Sequence, residues 1–213
     1  MHFDGDDGST VFTDSSHTPK TSTPFGDFKL STSWKQHGTA SGRALAAGDY
    51  LRITSGGDDL SFGSGDFTIE ITFRLDSIQG GFPNYIYDSR WGSSTNSPQI
   101  SVTESGAISF LRSGIELITG TTTISAGTTY VVSVSRVGTE LRMFVNGVQD
   151  GGTQSDATVW AVGSASNPLT IGANTFNASY GPLLGRVDEL RVTKGVGRYT
   201  ADYQPADTAF PDQ

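Results

Sequence analysis

The chain has 213 residues, of which 35% are hydrophobic and 17% charged, with 27 Gly, 8 Pro and no Cys. It carries 22 Asp and Glu against 14 Lys and Arg, a net charge of −8. That balance, with no basic run, excludes a nucleic-acid partner and an anionic membrane surface, because affinity for phosphate rests on positive charge. The missing cysteines exclude disulfides, thiolate metal sites and cysteine nucleophiles.

No apolar run approaches the ~20 residues of a membrane span. No charged segment followed by an apolar one opens the chain, so no secretory signal is expected. The Gly and Pro content predicts many short strands joined by tight turns in one domain, residues 1–213, with no linker and no amphipathic helix.

In chain order, Asp4, Asp6 and Asp7 with Gly5 and Gly8 form a first acidic cluster. It reads either as ligands for a hard cation or as the Asx-type turns that Asp and Gly build. Residues 13–41 are rich in Ser, Thr and Lys and poor in aliphatics, and are expected to be an extended N-terminal loop region holding Phe25, Phe28 and Trp34. These three aromatics pack either on a neighbouring subunit or on the end of their own domain. A short strand is expected at Tyr50–Thr54. A second acidic turn, Asp58, Asp59 and Asp66, leads into the clearest strand.

From Phe67 to Leu75, apolar Phe67, Ile69, Ile71, Phe73 and Leu75 alternate with Thr68, Glu70, Thr72 and Arg74, predicting one buried and one wet face. Gly80–Pro98 is too polar and glycine-rich to be core strand along its whole length. Further strands are expected at Gln99–Val102, Ala107–Leu111, Tyr130–Val137, Leu141–Val145, Leu169–Ile171 and Val187–Thr193. Asn146-Gly147 predicts a type I′ hairpin, whose two central residues need positive φ. In the last strand Val187 and Leu190 are three apart, so period two cannot bury both. Either a bulge intervenes or Asp188 faces inward and needs donors or a metal. After Tyr203 the Pro-containing tail, residues 204–213, is expected to run as an irregular strap.

Catalytic patterns are absent. His2, His17 and His37 lack metal-ligand spacing, and no nucleophile elbow or phosphate loop occurs. A sandwich glycosidase needs two carboxylates facing each other. Glu70 stands alone on its strand face, Asp188 and Glu189 are adjacent and point apart on a regular strand, and Glu104, Glu116 and Glu140 are isolated.

Several segments together resemble the concanavalin A-like, laminin-G-like jelly rolls of bacteriophage structural proteins. They are His2-Phe3-Asp4-Gly5, Phe12-Thr13-Asp14-Ser15-Ser16, Gly48-Asp49-Tyr50-Leu51, Gly65-Asp66-Phe67-Thr68-Ile69-Glu70, Phe144-Val145-Asn146-Gly147 and Gly185 to Thr200. Here Met1 directly precedes the first motif, where relatives carry an aliphatic run. The resemblance implies an all-β jelly-roll β-sandwich of two antiparallel sheets. It also implies a non-catalytic virion protein, decorating or tail-associated, that forms homo-oligomers or docks on other virion proteins and touches host surface glycans. The alternatives are a secreted or cell-surface carbohydrate-binding module and, third, a glycan hydrolase or lyase. Jelly-roll alginate lyases share Glu189-Leu190-Arg191, but Gln99-Ile100-Ser101 lacks the histidine of their second motif.

Some relatives hold a structural calcium. Asp4 in the first motif and Asp188 in the last are expected to share one that pins the chain ends. Sugars stack on aromatic faces while amides and guanidinium groups hold the hydroxyls. That mixture places a glycan site on two loops: Tyr85, Arg90 and Trp91 on one, and Phe176, Asn177 and Tyr180 on the other. The competing reading makes Tyr85 and Tyr87 a buried strand face and Trp91 a plug at the sandwich end.

Overall fold

The computed structural model describes residues 1–54, 60–90, 96–160 and 168–212. Fifteen strands build it: β1 (Thr21–Phe25), β2 (Lys29–Ser31), β3 (Ser41–Ala44), β4 (Tyr50–Thr54), β5 (Phe67–Leu75), β6 (Asn84–Asp88), β7 (Pro98–Val102) and β8 (Ala107–Arg112), then β9 (Ile115–Thr123), β10 (Thr129–Val137), β11 (Glu140–Val145), β12 (Val148–Gln149), β13 (Gln154–Ser155), β14 (Pro168–Ile171) and β15 (Gly185–Lys194). Among the described residues there is no helix.

Two antiparallel sheets result. The first runs β1-β4-β14-β6-β7-β8-β9. The second runs β12-β11-β10-β5-β15-β3-β2, with β13 on β11. Sequence neighbours are often far apart in this order, the mark of jelly-roll connectivity. Between the sheets lies one apolar core. Leu51, Ile53, Ile100, Phe110 and Ile171 come from one side, and Ile69, Ile71, Phe73, Val132, Val134 and Val187 from the other.

The N-terminal segment, residues 13–41, is not loop throughout. Thr21–Phe25 pairs with β4 and Lys29–Ser31 with β3, while Phe28 is buried in the core and Phe25 stacks on Tyr50 at 4.6 Å. Edge strands of three to five polar residues give no periodic signal, so only their partners reveal them.

β5 corrects a second expectation, because both of its faces are buried. The strap begins earlier than expected: the chain from Val196 onward, directly after β15, covers the face away from the core. Thr68 Oγ1 donates to the Val196 carbonyl, and the Arg198 N–H donates back to Thr68 Oγ1, at 2.9 Å each. Tyr199 and Tyr203 stack at 3.6 Å over buried Phe144, Tyr203 bonds the Ser133 hydroxyl at 2.8 Å, and Tyr199 donates to Glu70 at 2.7 Å.

The hairpin between β11 and β12 follows the sequence signal, with φ of 51° at Asn146 and 81° at Gly147. The parity break in β15 is a bulge. The register against β5 shifts between Asp188 and Arg191, and Glu189 takes φ of 49°. Val187 and Leu190 both reach the core as a result.

Candidate functional site

The two loops chosen from the sequence meet at one end of the first sheet. Gly80–Pro98 is not loop throughout, since β6 runs through it. Its register against β7 shifts between Tyr85 and Tyr87. This irregularity lets consecutive Ile86 and Tyr87 both enter the core and turns Tyr85 out of it. Tyr85 is only 6% exposed nonetheless, because the second loop lies over it. Tyr87 is fully buried, and desolvation pushes its phenol far above the ordinary range.

Asp88, at the end of β6, joins the loops. Its side chain accepts the backbone N–H of Arg90 at 3.0 Å and of Thr175 at 3.0 Å, and its carbonyl accepts Thr175 Oγ1 at 2.9 Å. Arg90 returns along its own backbone and clamps the same carboxylate, Nη2 to Oδ2 at 2.8 Å and Nε to Oδ1 at 3.1 Å. The guanidinium carbon lies 5.3 Å from the ring centres of both Tyr85 and Phe176. Burial alone would lower the pKa of Arg90, but the Asp88 carboxylate outweighs it and the net shift is upward. Tyr85 is also shifted upward, by burial first.

The second loop is shaped by its amides. Asn174 Oδ1 accepts the N–H groups of Phe176 at 2.9 Å and Asn177 at 3.2 Å, and Asn177 Oδ1 accepts that of Ser179 at 3.1 Å. The loop then docks on β6 through Tyr85 N–H to the Gly181 carbonyl at 3.0 Å, and Asn84 donates to the Pro182 carbonyl at 2.7 Å. Phe82 packs on Tyr180 at 4.4 Å, and Tyr180 lies 6.4 Å from Tyr85.

The outcome is a platform of Phe82, Phe176 and Tyr180 over Tyr85 and Arg90. Phe176 is 56% and Phe82 41% exposed, Asn177 is exposed and Tyr180 half-buried. Of the sequence-chosen residues, Tyr85, Arg90, Phe176, Asn177 and Tyr180 converge, but Tyr85 is a correction: it is buried beneath the others, and with Tyr87 it follows the competing reading of a buried strand face. Trp91 lies outside the described residues. Phe82 belongs to the site by its contact with Tyr180. A second aromatic pair, Phe25 stacked on Tyr50 with Arg52 4.7 Å above Phe25, escaped the sequence reading. The pair depends on β1, which the sequence did not signal. It stands beside the same loop, where Gly48 N–H bonds the Ala178 carbonyl at 3.1 Å.

Asp4 and Asp188 converge on a different target. Asp188 accepts the N–H groups of Gln36 at 2.7 Å, His37 at 3.1 Å and Glu189 at 2.9 Å, while Asp4 accepts Thr39 N–H and, at 3.1 Å, its hydroxyl. Both side chains hold down the turn at 36–39. Their oxygens face N–H donors, where a cation would need to sit. No group of three or more His, Cys, Asp or Glu side chains among the described residues could hold a metal. Calcium takes 6–8 oxygens, and this set does not fit it. Asp7 likewise accepts Thr32 N–H at 2.9 Å, which is turn building. Asp58 and Asp59 lie outside the described residues.

The carboxylates on the outer face of the second sheet are spoken for. Glu70 is clamped by Arg191 at 2.6 and 2.8 Å and by Tyr199, and Glu189 accepts from His2 at 2.7 Å and from Phe210 N–H at 2.8 Å. Burial pushes the Asp188 carboxyl up to about 7, against the pull of its backbone donors.

A cavity of about 320 Å³ is lined by none of the platform residues. Its floor is Ile53, Leu60, Leu169, Leu190 and Val192 at the sandwich edge. Its rim is polar, with His2, Asp14, Lys20 and Arg191, and it carries one aromatic ring, Phe210, which Arg191 covers at 3.8 Å, so it lacks an open cluster of rings like the platform's.

A family model described as the concanavalin A-like lectin/glucanases superfamily matches residues 45–196. No curated protein sequence matches the chain. Among solved structures, domain 4 of AbnA, a GH43 extracellular arabinanase from Geobacillus stearothermophilus, in complex with arabinotriose, is similar with TM-score 0.56 and 15% identity over 84% of each chain. A structure of botulinum neurotoxin type C, whose cell entry depends on two ganglioside molecules, superposes with TM-score 0.65 and 14% identity. It covers 89% of this chain and 47% of its own. Trypanosoma rangeli sialidase follows at 0.54 and 12%, over 74% of this chain and 26% of its own. This chain therefore spans about half of the toxin chain and a quarter of the sialidase. At these identities the likeness is one of fold.

Proposed function

Because this chain belongs to the concanavalin A-like lectin/glucanases superfamily, we propose that it is a non-catalytic glycan-binding domain whose ligand lies on the platform of Phe82, Phe176 and Tyr180. The observation that carries this is the exposed ring cluster itself. Other apolar side chains are exposed singly, such as Val11 and Ile115, but Phe82 and Phe176 are exposed in one cluster with Tyr180, and a pyranose or furanose C–H face stacks on such rings. Asn177 supplies an amide for hydroxyls beside it. Structural neighbours that carry arabinotriose or depend on gangliosides support the reading.

The binding role rather than catalysis is supported by the carboxylates. Asp88, the acid within the platform's two loops, is clamped by Arg90 and by backbone donors, so it cannot shuttle protons without breaking that clamp. Glu70 and Glu189 lie under the strap with their partners. Turnover of a polysaccharide panel, lost in Glu70→Gln, would overturn the non-catalytic part.

The setting we propose is the surface of a phage particle, as a decoration or tail-associated protein contacting host glycans. Support comes from the order of motifs from His2-Phe3-Asp4-Gly5 through Gly185–Thr200. A module of a secreted or cell-surface protein is the second reading. In its favour, the arabinanase domain matches this chain over 84% of both lengths. Light scattering separates them: a symmetric oligomer or a shell-bound copy supports the virion role, and a monomer that binds glycan supports the module.

A further inference from the structure

The same platform is electrically closed, and from this we infer that its ligand is a neutral oligosaccharide, not a sialylated, uronic or sulfated one; the inference rests on the glycan-binding reading above. An arginine beside aromatic rings ordinarily suggests an acidic sugar, because its planar fork matches a carboxylate. Here that fork is already used. Nε and Nη2 of Arg90 face Asp88, whose side chain is fully buried, and the Arg90 side chain is 12% exposed. Among the described residues, the guanidinium is also flanked by the Tyr85 and Phe176 rings and by the turn at Gly114, whose Cβ would stand 3.6 Å from Nη1.

Charge arithmetic points the same way. Across residues 82–90 and 174–181, the only charged side chains are Asp88 and Arg90, and they cancel, while Arg52 beside the second loop is spread over the Phe25 ring at 4.7 Å and donates to the Tyr50 hydroxyl at 3.4 Å. An incoming anion would meet a compensated cation, a buried carboxylate behind it and a chain of net charge −8. Its own carboxylate would lose water without gaining a fork, which costs free energy. A neutral sugar meets no such cost. It needs C–H stacking on Phe176 and Tyr180 and an amide at Asn177, and all three are present. Arg90 is thus a positioning residue that holds the Phe176 loop against Tyr85.

Lactose and 3′-sialyllactose differ by one sialic acid and form a matched probe. They are titrated with arabinotriose, cellotriose, maltotriose and digalacturonic acid into the full chain. The expected result is binding of at least one neutral sugar, with anionic members at least about tenfold weaker and neutral binding unchanged between 50 and 500 mM salt. Tighter binding of the anionic member, weakened by salt, overturns the inference and leaves the glycan reading standing. Binding of no member removes the glycan reading and this inference with it.

Asp88→Asn frees the Arg90 charge and is expected to raise the sialyllactose-to-lactose affinity ratio about tenfold; an unchanged ratio in the folded variant counts against the inference. Should that variant not fold, the salt series on the unaltered chain decides: 3′-sialyllactose bound more tightly than lactose at 50 mM salt, with the preference lost at 500 mM, overturns the inference, and weaker sialyllactose binding at both supports it.

Discussion

At Gly181 a methyl group has nowhere to go. Its φ is +65°, and a Cβ there would stand 2.6 Å from the Tyr85 ring and closer still to the Pro83 carbonyl. Gly181→Ala should cost about 1–3 kcal/mol, the usual scale of such strain, and push the Tyr180 loop off β6. Urea unfolding and glycan titration of that variant check both effects. A second residue-scale expectation concerns pH. The folded Asp188 carboxyl titrates near 7 because burial disfavours its charge, while an unfolded one titrates near 3.9. Between those values the folded state holds the extra proton, so stability falls as pH rises across that window. Burial opposes protonation of His2, but contacts with Glu189 and Asp212 raise its pKa overall. Its contribution is present below the unfolded value and lost as pH rises through the folded one. Both groups act in one direction, and the melting temperature should fall between pH 5.5 and 7; above that the buried Met1 amine, whose pKa burial lowers, acts the other way. Asp188→Asn should flatten that slope. A melting temperature that climbs from pH 5.5 to 7 would contradict the assignment.

Elements were legible where periodicity met burial. β5 announced itself because its alternation sits in the middle of a sheet, and the β11–β12 turn because Asn-Gly has few other uses. β1, β2, β3, β9 and β13 were missed: β1, β2 and β13 are short pieces at sheet edges, Ser41–Ala44 is four small or polar residues without alternation, and Ile115–Thr123 is a Thr-rich edge strand with bulged pairing to β8. β6 hid because Asn84–Asp88 mixes polar and aromatic residues and its bulge breaks the period. Alternation also could not show that β5 buries its polar face, since the covering strap lies over a hundred residues away. The strap's grip can be tested at one atom. Tyr203→Phe removes the bond to Ser133 and leaves the stack on Tyr199. It should cost about 0.5–1.5 kcal/mol by urea unfolding; no change would mean that the strap is held by stacking alone.

At the scale of the molecule, the two-sheet fold and the convergence of two loops were readable from motif order and from loop composition. The turn partner of Asp4 and Asp188 was not, because no local pattern tells whether a carboxylate meets N–H groups or a cation. Calcium and chelator should therefore give the same melting temperature, and a shift of several degrees would restore a shared ion. The central claim is that Phe176 and its neighbours form a carbohydrate platform. Phe176→Ala tests it most directly, since an exposed ring contributes little to folding. Calorimetric titration with the best-binding sugar should show affinity reduced about tenfold or more, roughly 1.4 kcal/mol, with the melting temperature nearly unchanged. Undiminished affinity in a folded Phe176→Ala protein would place the sugar elsewhere and contradict the account.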